Sequence, residues 1–105
     1  STGFHEIDWR CRRAEFGIMI GDKNYWSKGY GADAVKTIAG LGFGELNLDK
    51  IWLQVFETNP RAIRCYEKAG FILEGRLRRH HYLGGHYCDV LLMGLLREEW
   101  EAGKA

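Results

Sequence analysis

A glycine-containing stretch at residues 26–32 has the composition of an anion-binding loop. It reads Trp26-Ser27-Lys28-Gly29-Tyr30-Gly31-Ala32 and stands between a predicted strand and a predicted helix. Because glycine has no Cβ, the backbone at Gly29 and Gly31 can approach a pyrophosphate, and the positive end of the helix dipole attracts the same anion. The predicted donors are the amides of Ser27, Lys28, Gly29, Tyr30 and Gly31. The alternative is a tight turn that binds no ligand, and no Gly-Lys-Ser/Thr follows to indicate a nucleotidase-type loop.

A second motif, residues 59–71, places one phenol on a short helix with clear ends. Asn59 suits the N-cap, Pro60 fits the first helical position, and Gly70 fits the left-handed residue that ends a helix. These signals predict a helix over residues 60–69. Tyr66 lies on it, and a phenol with a pKa of about 10 stays protonated at neutral pH and can act as a general acid. The alternative is an aromatic ring packed under the sheet with its hydroxyl bonded to backbone.

The strands that must position these motifs are predicted from the hydrophobic pattern. Residues 14–20 form a short apolar run that ends at a turn. Residues 50–57 are apolar on both faces except at Gln54, which is typical of an interior strand covered by helices on either side. Residues 71–79 and 88–96 flank a Gly-Gly turn and predict an antiparallel pair.

The remaining pattern predicts a helix between the first two strands. Apolar and small residues fall at helical spacing from Gly31 onward, namely Val35, Ile38, Ala39, Gly42 and Leu46. Residues 1–13 are interpreted as a loop or the tail of a strand, and residues 98–104 as a polar tail. The order is therefore β-α-β-α-β-β in one α/β (α+β) domain over residues 1–105, with a right-handed crossover between two parallel strands.

The two motifs, in this order and with a strand between them, resemble the acetyl-CoA-binding half of the GNAT N-acetyltransferase superfamily. The resemblance covers nearly the whole chain and implies a mixed sheet of the GNAT type, but the N-terminal strands and helices of that fold are absent. Asp8-Trp9-Arg10 and residues 87–93 (Tyr-Cys-Asp-Val-Leu-Leu-Met) are more closely similar to the ribosomal-protein and amino-terminal acetyltransferase branch. Trp26 departs from the family pattern, which has Gln or Arg at that position.

The resemblance implies roles for residues near the reacting end of acetyl-CoA. The strand before the loop, at Ile18, Met19 and Ile20, would lie beside the pantetheine arm, and an amide there would stabilise the oxyanion formed on attack. Asn59 would contact the same arm, although an N-cap explains this residue equally well. Tyr66 would protonate the departing coenzyme thiolate.

Other matching residues would bind the nucleotide end or remove a proton. Residues 26–32 would hold the pyrophosphate, and Arg64 would approach the adenosine phosphates unless it is an ordinary solvated helix residue. Glu15 stands where some relatives carry a carboxylate and would act as general base on the ammonium substrate. The alternative for Glu15 is an ion pair with Arg13.

The composition argues against several other functions. The net charge is +1 with acids and bases interleaved, so neither nucleic acid nor a membrane is expected as a partner. A basic run is attributed to a solvated strand end: Arg76, Arg78, Arg79, His80 and His81. Adjacent histidines on a strand point to opposite faces, so no metal site is predicted. The three cysteines lack Cys-x-x-Cys spacing, and there is no leader or membrane-length apolar run, which favours the cytoplasm.

The predicted function is transfer of acetyl from acetyl-CoA to a primary amine by direct attack in a ternary complex. Protein N-terminal amines are the favoured acceptors, ahead of small amines such as polyamines. The alternatives are a non-catalytic module that binds CoA or dimerises, and a fragment that only folds. Without preceding strands, the edge of residues 14–20 should be exposed, which predicts a homodimer through that edge. The chain begins with Ser1-Thr2 rather than Met, which suggests that a segment preceded it.

Overall fold

A five-stranded mixed sheet forms the centre of the fold. The computed structural model describes residues 2–18 and 31–104. The strands are β1 (Thr2–Asp8), β2 (Arg13–Ile18), β3 (Lys50–Phe56), β4 (Ile72–Leu83) and β5 (His86–Leu96). They lie in the order β1-β2-β3-β5-β4, with β2 and β3 parallel and the other neighbours antiparallel. The mixed sheet and its parallel pair, predicted from the sequence, are confirmed.

Helices connect and follow the strands. The first, α1 (Gly31–Gly40), continues into a π-helix (Leu41–Glu45), and α2 (Pro60–Lys68) and α3 (Arg97–Gly103) come later in the chain. The helices predicted from Gly31 onward and over residues 60–69 are confirmed. The change from α- to π-helix begins after Gly40, in the glycine-containing segment that weakens an α-helix.

The core lies between α1, α2 and one face of the sheet. Alternate residues of β3 point into it, and Ile51, Leu53 and Val55 are almost completely buried. Val35 of α1 and Tyr66 of α2 belong to the same buried cluster. The central strand β3 therefore holds the helices through apolar burial, which is the main source of stability in such a layer.

The second face of β3 is more exposed than predicted. Trp52 and Phe56 are half-buried and Gln54 is exposed, so burial alternates along the strand. The prediction that helices cover both faces of this strand is wrong for the described residues. Aromatic side chains made this face look like core in the sequence, because an apolar residue type does not reveal which face is covered.

Residues 1–13, interpreted from the sequence as a loop or the tail of a strand, contain the complete strand β1. β1 pairs antiparallel with β2 from Thr2 opposite Ile18 to Asp8 opposite Arg13, with an irregularity after His5. Glu6 has a φ of 51°, which marks this irregularity and explains why the sequence shows no regular alternation. In the connecting turn, the carboxylate of Asp8 accepts hydrogen bonds from the backbone N–H groups of Arg10 and Cys11, both at 3.0 Å.

The pairing of β1 changes the predicted edge of the sheet. β2 pairs with β1 between Arg13 and Ile18 and with β3 at residues 13–15, so it is an interior strand and not an edge strand. The prediction of a dimer through that edge therefore loses its structural basis. The edge strands of the described sheet are β1 and β4.

The predicted polar tail is also a helix. In α3, the Trp100 ring stacks on Phe43 of the π-helix with centroids 5.0 Å apart. Arg97 donates side-chain hydrogen bonds to the carbonyls of Phe43 and Leu48, and Glu99 caps the helix start by accepting from the Leu96 N–H at 2.9 Å. One aromatic residue among charged neighbours gives little periodicity, so the sequence alone did not reveal this packed helix.

Candidate active site

The parallel strands β2 and β3 separate at the centre of the sheet. Their pairing joins residues 13–15 to residues 50–52, whereas β2 continues to Ile18 and β3 to Phe56. Among the described residues, the two strands have no further register positions in common. The facing backbone groups beyond Glu15 and Trp52 are therefore positioned to hydrogen-bond an extended ligand between the strands.

A cavity of about 300 Å³ opens where the strands separate. Its lining combines a carboxylate, an imidazole, an amide and apolar surface, contributed by His5, Glu15, Phe16, Gly17, Gln54, Phe56 and Val90. β1, β2, β3 and β5 all contribute to this lining. Such a mixture of apolar walls with a few polar groups is typical of a small-molecule site.

Glu15 is the acidic group of this cavity. The residue is only 9% exposed, and its Oε2 accepts a hydrogen bond from Gln54 Nε2 at 3.0 Å. Its Oε1 lies 3.4 Å from His5 Nε2. Arg13 instead lies 3.5 Å from Asp8, so the alternative of a Glu15–Arg13 ion pair is wrong. A buried carboxylate with polar partners beside a cavity is a candidate general base.

Tyr66 approaches the strand separation from the opposite face of the sheet. It is 5% exposed, and its ring packs edge-on against Phe16 with centroids 6.2 Å apart. Phe71 contacts the ring from another side at 5.9 Å. Because Glu15 and Phe16 are consecutive on β2, they face opposite sides, so the carboxylate and the tyrosine lie on either side of the strand. The ring of Tyr66 is therefore packed under the sheet, as the alternative to a catalytic role predicted. This packing is compatible with a role of the hydroxyl as general acid.

Asn59 is the N-cap of α2. Its Oδ1 accepts a hydrogen bond from the Ala62 N–H at 3.2 Å, and Pro60 occupies the first helical turn. Gly70 has a φ of 102°, the left-handed conformation predicted for the residue after the helix. The N-cap uses the side-chain oxygen, so a contact between the Asn59 NH₂ group and a ligand stays a prediction.

The predicted coenzyme-binding residues are only partly described. Gly31 and Ala32 form the first residues of α1, so the end of the predicted loop is at a helix N-terminus. Ile18 ends β2, and Arg64 is exposed on α2. The other predicted positions lie outside the described residues: Met19, Ile20, Trp26, Ser27, Lys28, Gly29 and Tyr30.

Two polar cavity residues were missed from the sequence. His5 lay in the segment interpreted as a loop or the tail of a strand, and Gln54 was noted only as a break in an apolar strand. Both reach Glu15 through strand pairing, His5 from β1 and Gln54 from β3. The alternation of polar residues on correctly paired strands would have revealed them, but that pairing depends on β1.

A second polar cluster ties the β4–β5 hairpin to the end of β3. Arg76 Nη1 lies 2.8 Å from Glu57 and 2.6 Å from Asp89. The backbone N–H of Arg79 donates to Asp89 Oδ1 at 2.8 Å. This backbone hydrogen bond, followed by the Arg76 side-chain hydrogen bond, lowers the pKa of Asp89 below its ordinary value of 3.8. Arg76 therefore belongs to a specific ion-pair network and is not simply one of a solvated basic run.

Residues 2–18 and 31–104 contain neither a metal-binding cluster nor a membrane-spanning helix. This part of the chain has no group of three or more His, Cys, Asp or Glu side chains able to hold a metal ion. No helix in these segments has both the length and the apolar character needed to cross a membrane. The thiols of Cys11, Cys65 and Cys88 are free.

The chain is similar to known proteins in both sequence and fold. The family model described as Acetyltransferase (GNAT) domain matches residues 1–72. Spermidine N(1)-acetyltransferase of Vibrio cholerae is 36% identical over 95 residues, covering 90% of this chain and 54% of the relative. The putative ribosomal N-acetyltransferase YdaF of Bacillus subtilis is 31% identical over 100 residues, covering 95% of this chain and 54% of the relative.

Similarity extends to solved structures. The crystal structure of Vibrio cholerae spermidine N-acetyltransferase in complex with CoA and spermine superposes with a TM-score of 0.84 at 35% identity. The match covers 93% of this chain and 57% of that chain. This chain thus spans about half the length of the curated relatives it matches.

Proposed function

Because this chain belongs to the GNAT acetyltransferase family, we propose that it forms the coenzyme-binding part of an enzyme that transfers acetyl from acetyl-CoA to a primary amine. The observation that carries the proposal is the separation of β2 from β3 after Glu15 and Trp52. An extended pantetheine arm has the shape and the hydrogen-bonding groups to occupy such a gap.

Acetyl-CoA fits the described residues around this gap. The backbone of residues 16–18 offers hydrogen-bonding groups along one side, and the N-terminus of α1 at Gly31 favours an anion at the end of the predicted pyrophosphate loop. The NH₂ group of Asn59 is not used by the helix cap and can donate to the arm. We infer that Ile18, Met19, Ile20, residues 26–32 and Arg64 complete the coenzyme site.

The acid and base roles follow from positions on opposite faces of β2. Glu15 removes a proton from the alkylammonium acceptor, and the neutral amine then attacks the thioester carbonyl. A backbone N–H of β2 stabilises the oxyanion, and Tyr66 protonates the departing thiolate. Placing the two reactants in one ternary complex supplies much of the rate enhancement.

The acceptor is proposed to be a small alkylamine of the polyamine class. The relatives that act on spermidine are 36–37% identical to this chain, compared with 31% for the ribosomal relative. This ranking of acceptors differs from the sequence prediction, which favoured protein N-terminal amines over polyamines. A protein N-terminal amine is the second candidate, and the similarity to the ribosomal relative supports it.

The test begins with titration of acetyl-CoA into the purified chain by calorimetry. We expect saturable binding at micromolar strength that is lost on Gly29→Glu, because a carboxylate would occupy and repel the pyrophosphate position. Spermidine and an N-terminal peptide are then compared as acceptors by the release of CoA thiol. Binding without turnover of either acceptor would favour the non-catalytic CoA-binding module. Absence of both would show that this chain is a fragment that folds without the family activity.

Domain organisation, cellular location and self-association are also proposed. We infer one partial GNAT domain over residues 1–105, because a single sheet and its core include strands and helices from both ends of the chain. A cytoplasmic location fits three free thiols, since reducing compartments preserve them. Homodimerisation stays a prediction without the exposed edge that first suggested it.

A further inference from the structure

The imidazole of His5 joins the buried carboxylate of Glu15 to the solvent. The two residues are directly opposite each other in the β1–β2 register, and His5 Nε2 lies 3.4 Å from Glu15 Oε1. The His5 side chain is 56% exposed, whereas that of Glu15 is 12% exposed. His5 is therefore in contact with both the carboxylate and bulk water.

Gly17 makes room for the imidazole in this position. A Cβ at residue 17 would lie 2.8 Å from His5 Nδ1 and even closer to the ring carbon Cε1. The ring thus lies directly across the backbone of Gly17, on the same strand as Glu15. A side chain at residue 17 would push the imidazole away from its observed place beside the carboxylate.

Gln54 holds the other oxygen of the same carboxylate. Its side-chain amide donates to Glu15 Oε2 at 3.0 Å, so Glu15 is fixed from both neighbouring strands. Within the cavity lining, His5 and Glu15 are the two residues with acidic or basic side chains.

We propose that His5 is a positioning residue for Glu15 and relays the proton that Glu15 removes from the acceptor, an inference that rests on the proposed function. The alkylammonium N–H bond breaks and its proton passes to a Glu15 oxygen. Glu15 then passes it to His5 Nε2, and His5 releases it to water. The acceptor nitrogen loses two protons during acetyl transfer. One reaches solvent by this route. The other replaces the proton that Tyr66 donates to the thiolate, so the net release is one proton.

The relay is tested with two acceptors of equal length. One is an alkylamine, which must lose a proton before it attacks. The other is an alkoxyamine, which is already neutral at neutral pH because its oxygen withdraws electrons. We expect His5→Gln to lower kcat about tenfold with the alkylamine and to leave kcat with the alkoxyamine unchanged. A tenfold loss is smaller than the usual contribution of a general base, because Glu15 itself is still present.

Gly17→Ala provides a second way to displace the imidazole. Gly17→Ala should lower kcat with the alkylamine and leave kcat with the alkoxyamine unchanged, as His5→Gln does. The His5→Gln/Gly17→Ala double variant should lose no more kcat than either single variant, because each substitution removes the same contact between the imidazole and Glu15. His86→Gln, at an exposed histidine that begins β5, is the matched control and should keep wild-type rates with both acceptors. If Gly17→Ala fails to fold, His5→Ala assayed with added imidazole replaces it, and pyrazole, similar in size but much less basic, should not restore the rate.

The outcomes separate the two proposals. Equal losses with both acceptors, or no loss with either, would overturn the role of His5 while leaving acetyl transfer intact. Absence of turnover by the wild-type chain with both acceptors would overturn the proposed function and the relay together.

Discussion

At the scale of single residues, Tyr66 combines a packing role with a proposed chemical one. Tyr66→Phe keeps the ring contacts with Phe16 and Phe71 but removes the hydroxyl. We expect kcat to fall about a hundredfold, within the usual range for loss of a general acid, while the Kd for acetyl-CoA changes less than about twofold. Steady-state kinetics and calorimetry measure the two quantities. Unchanged kcat would remove Tyr66 from the reaction and leave it as a core residue.

Asp89 gives a residue-scale prediction about pH. Its folded pKa is lowered, mainly by the Arg79 backbone hydrogen bond and next by Arg76, so the unfolded state binds a proton more readily. The carboxylate therefore stabilises the fold above the ordinary aspartate pKa, and this contribution is lost as pH falls through the lower folded value. Asp89→Asn should lower the urea midpoint at neutral pH, and its difference from wild type should shrink in acid. The proposed stabilisation by Asp89 would be contradicted if the difference in urea midpoint were constant with pH. It would also be contradicted if the exposed control Glu101→Gln showed the same difference from wild type.

At the scale of secondary-structure elements, the start of α2 separates stability from ligand binding. Asn59→Ala removes the oxygen that accepts the Ala62 N–H, and should cost about 1 kcal/mol in the free energy of unfolding. Asn59→Asp keeps an acceptor oxygen and should preserve stability, but it loses the NH₂ donor and should weaken acetyl-CoA binding. Urea unfolding and calorimetry compare the two variants. Equal coenzyme affinity in Asn59→Asp and wild type would restrict Asn59 to the cap.

The π-helix offers a matched pair of glycines. A Cβ at Gly42 would lie 2.7 Å from the Phe4 ring and 2.9 Å from Ile51 Cδ1, whereas a Cβ at Gly44 has no neighbour within 4 Å. Gly42→Ala should therefore destabilise the fold by about 1–3 kcal/mol through overpacking. Gly44→Ala should be neutral or slightly stabilising, because alanine favours helix. Thermal unfolding of both variants gives the comparison, and equal effects would show that Phe4 and Ile51 adjust without cost.

At the scale of the whole molecule, β1 protects the sheet. It pairs with β2 along one edge, and Phe4 packs edge-on against Phe16 with ring centroids 6.1 Å apart. A chain that begins at residue 9 should expose the unpaired edge of β2 and associate with other copies. Analytical ultracentrifugation of the shortened and full chains measures this. A shortened chain that stays monomeric and folded would show that β1 is not needed to cover that edge.

The sequence by itself determined the elements whose signals are local. The N-cap, proline and terminal glycine of α2 lie within a few residues of one another, so they predicted that helix without knowledge of the rest of the fold. The same holds for the β4–β5 hairpin, whose glycine turn has positive φ at Gly84 and Gly85. Tyr66 and Glu15 were identified as candidates through the resemblance of the surrounding motifs to the GNAT family.

Tertiary structure alone decided which side chains meet. Glu15 and Gln54 are 39 positions apart in the sequence, and His5 reaches the same carboxylate only because β1 pairs with β2 in one register. A shift of that register by one residue would turn His5 to the opposite face. Likewise, α3 is held by Arg97 and Trp100 against the distant π-helix. Such contacts depend on strand pairing and packing between remote segments, and local residue preferences do not specify them.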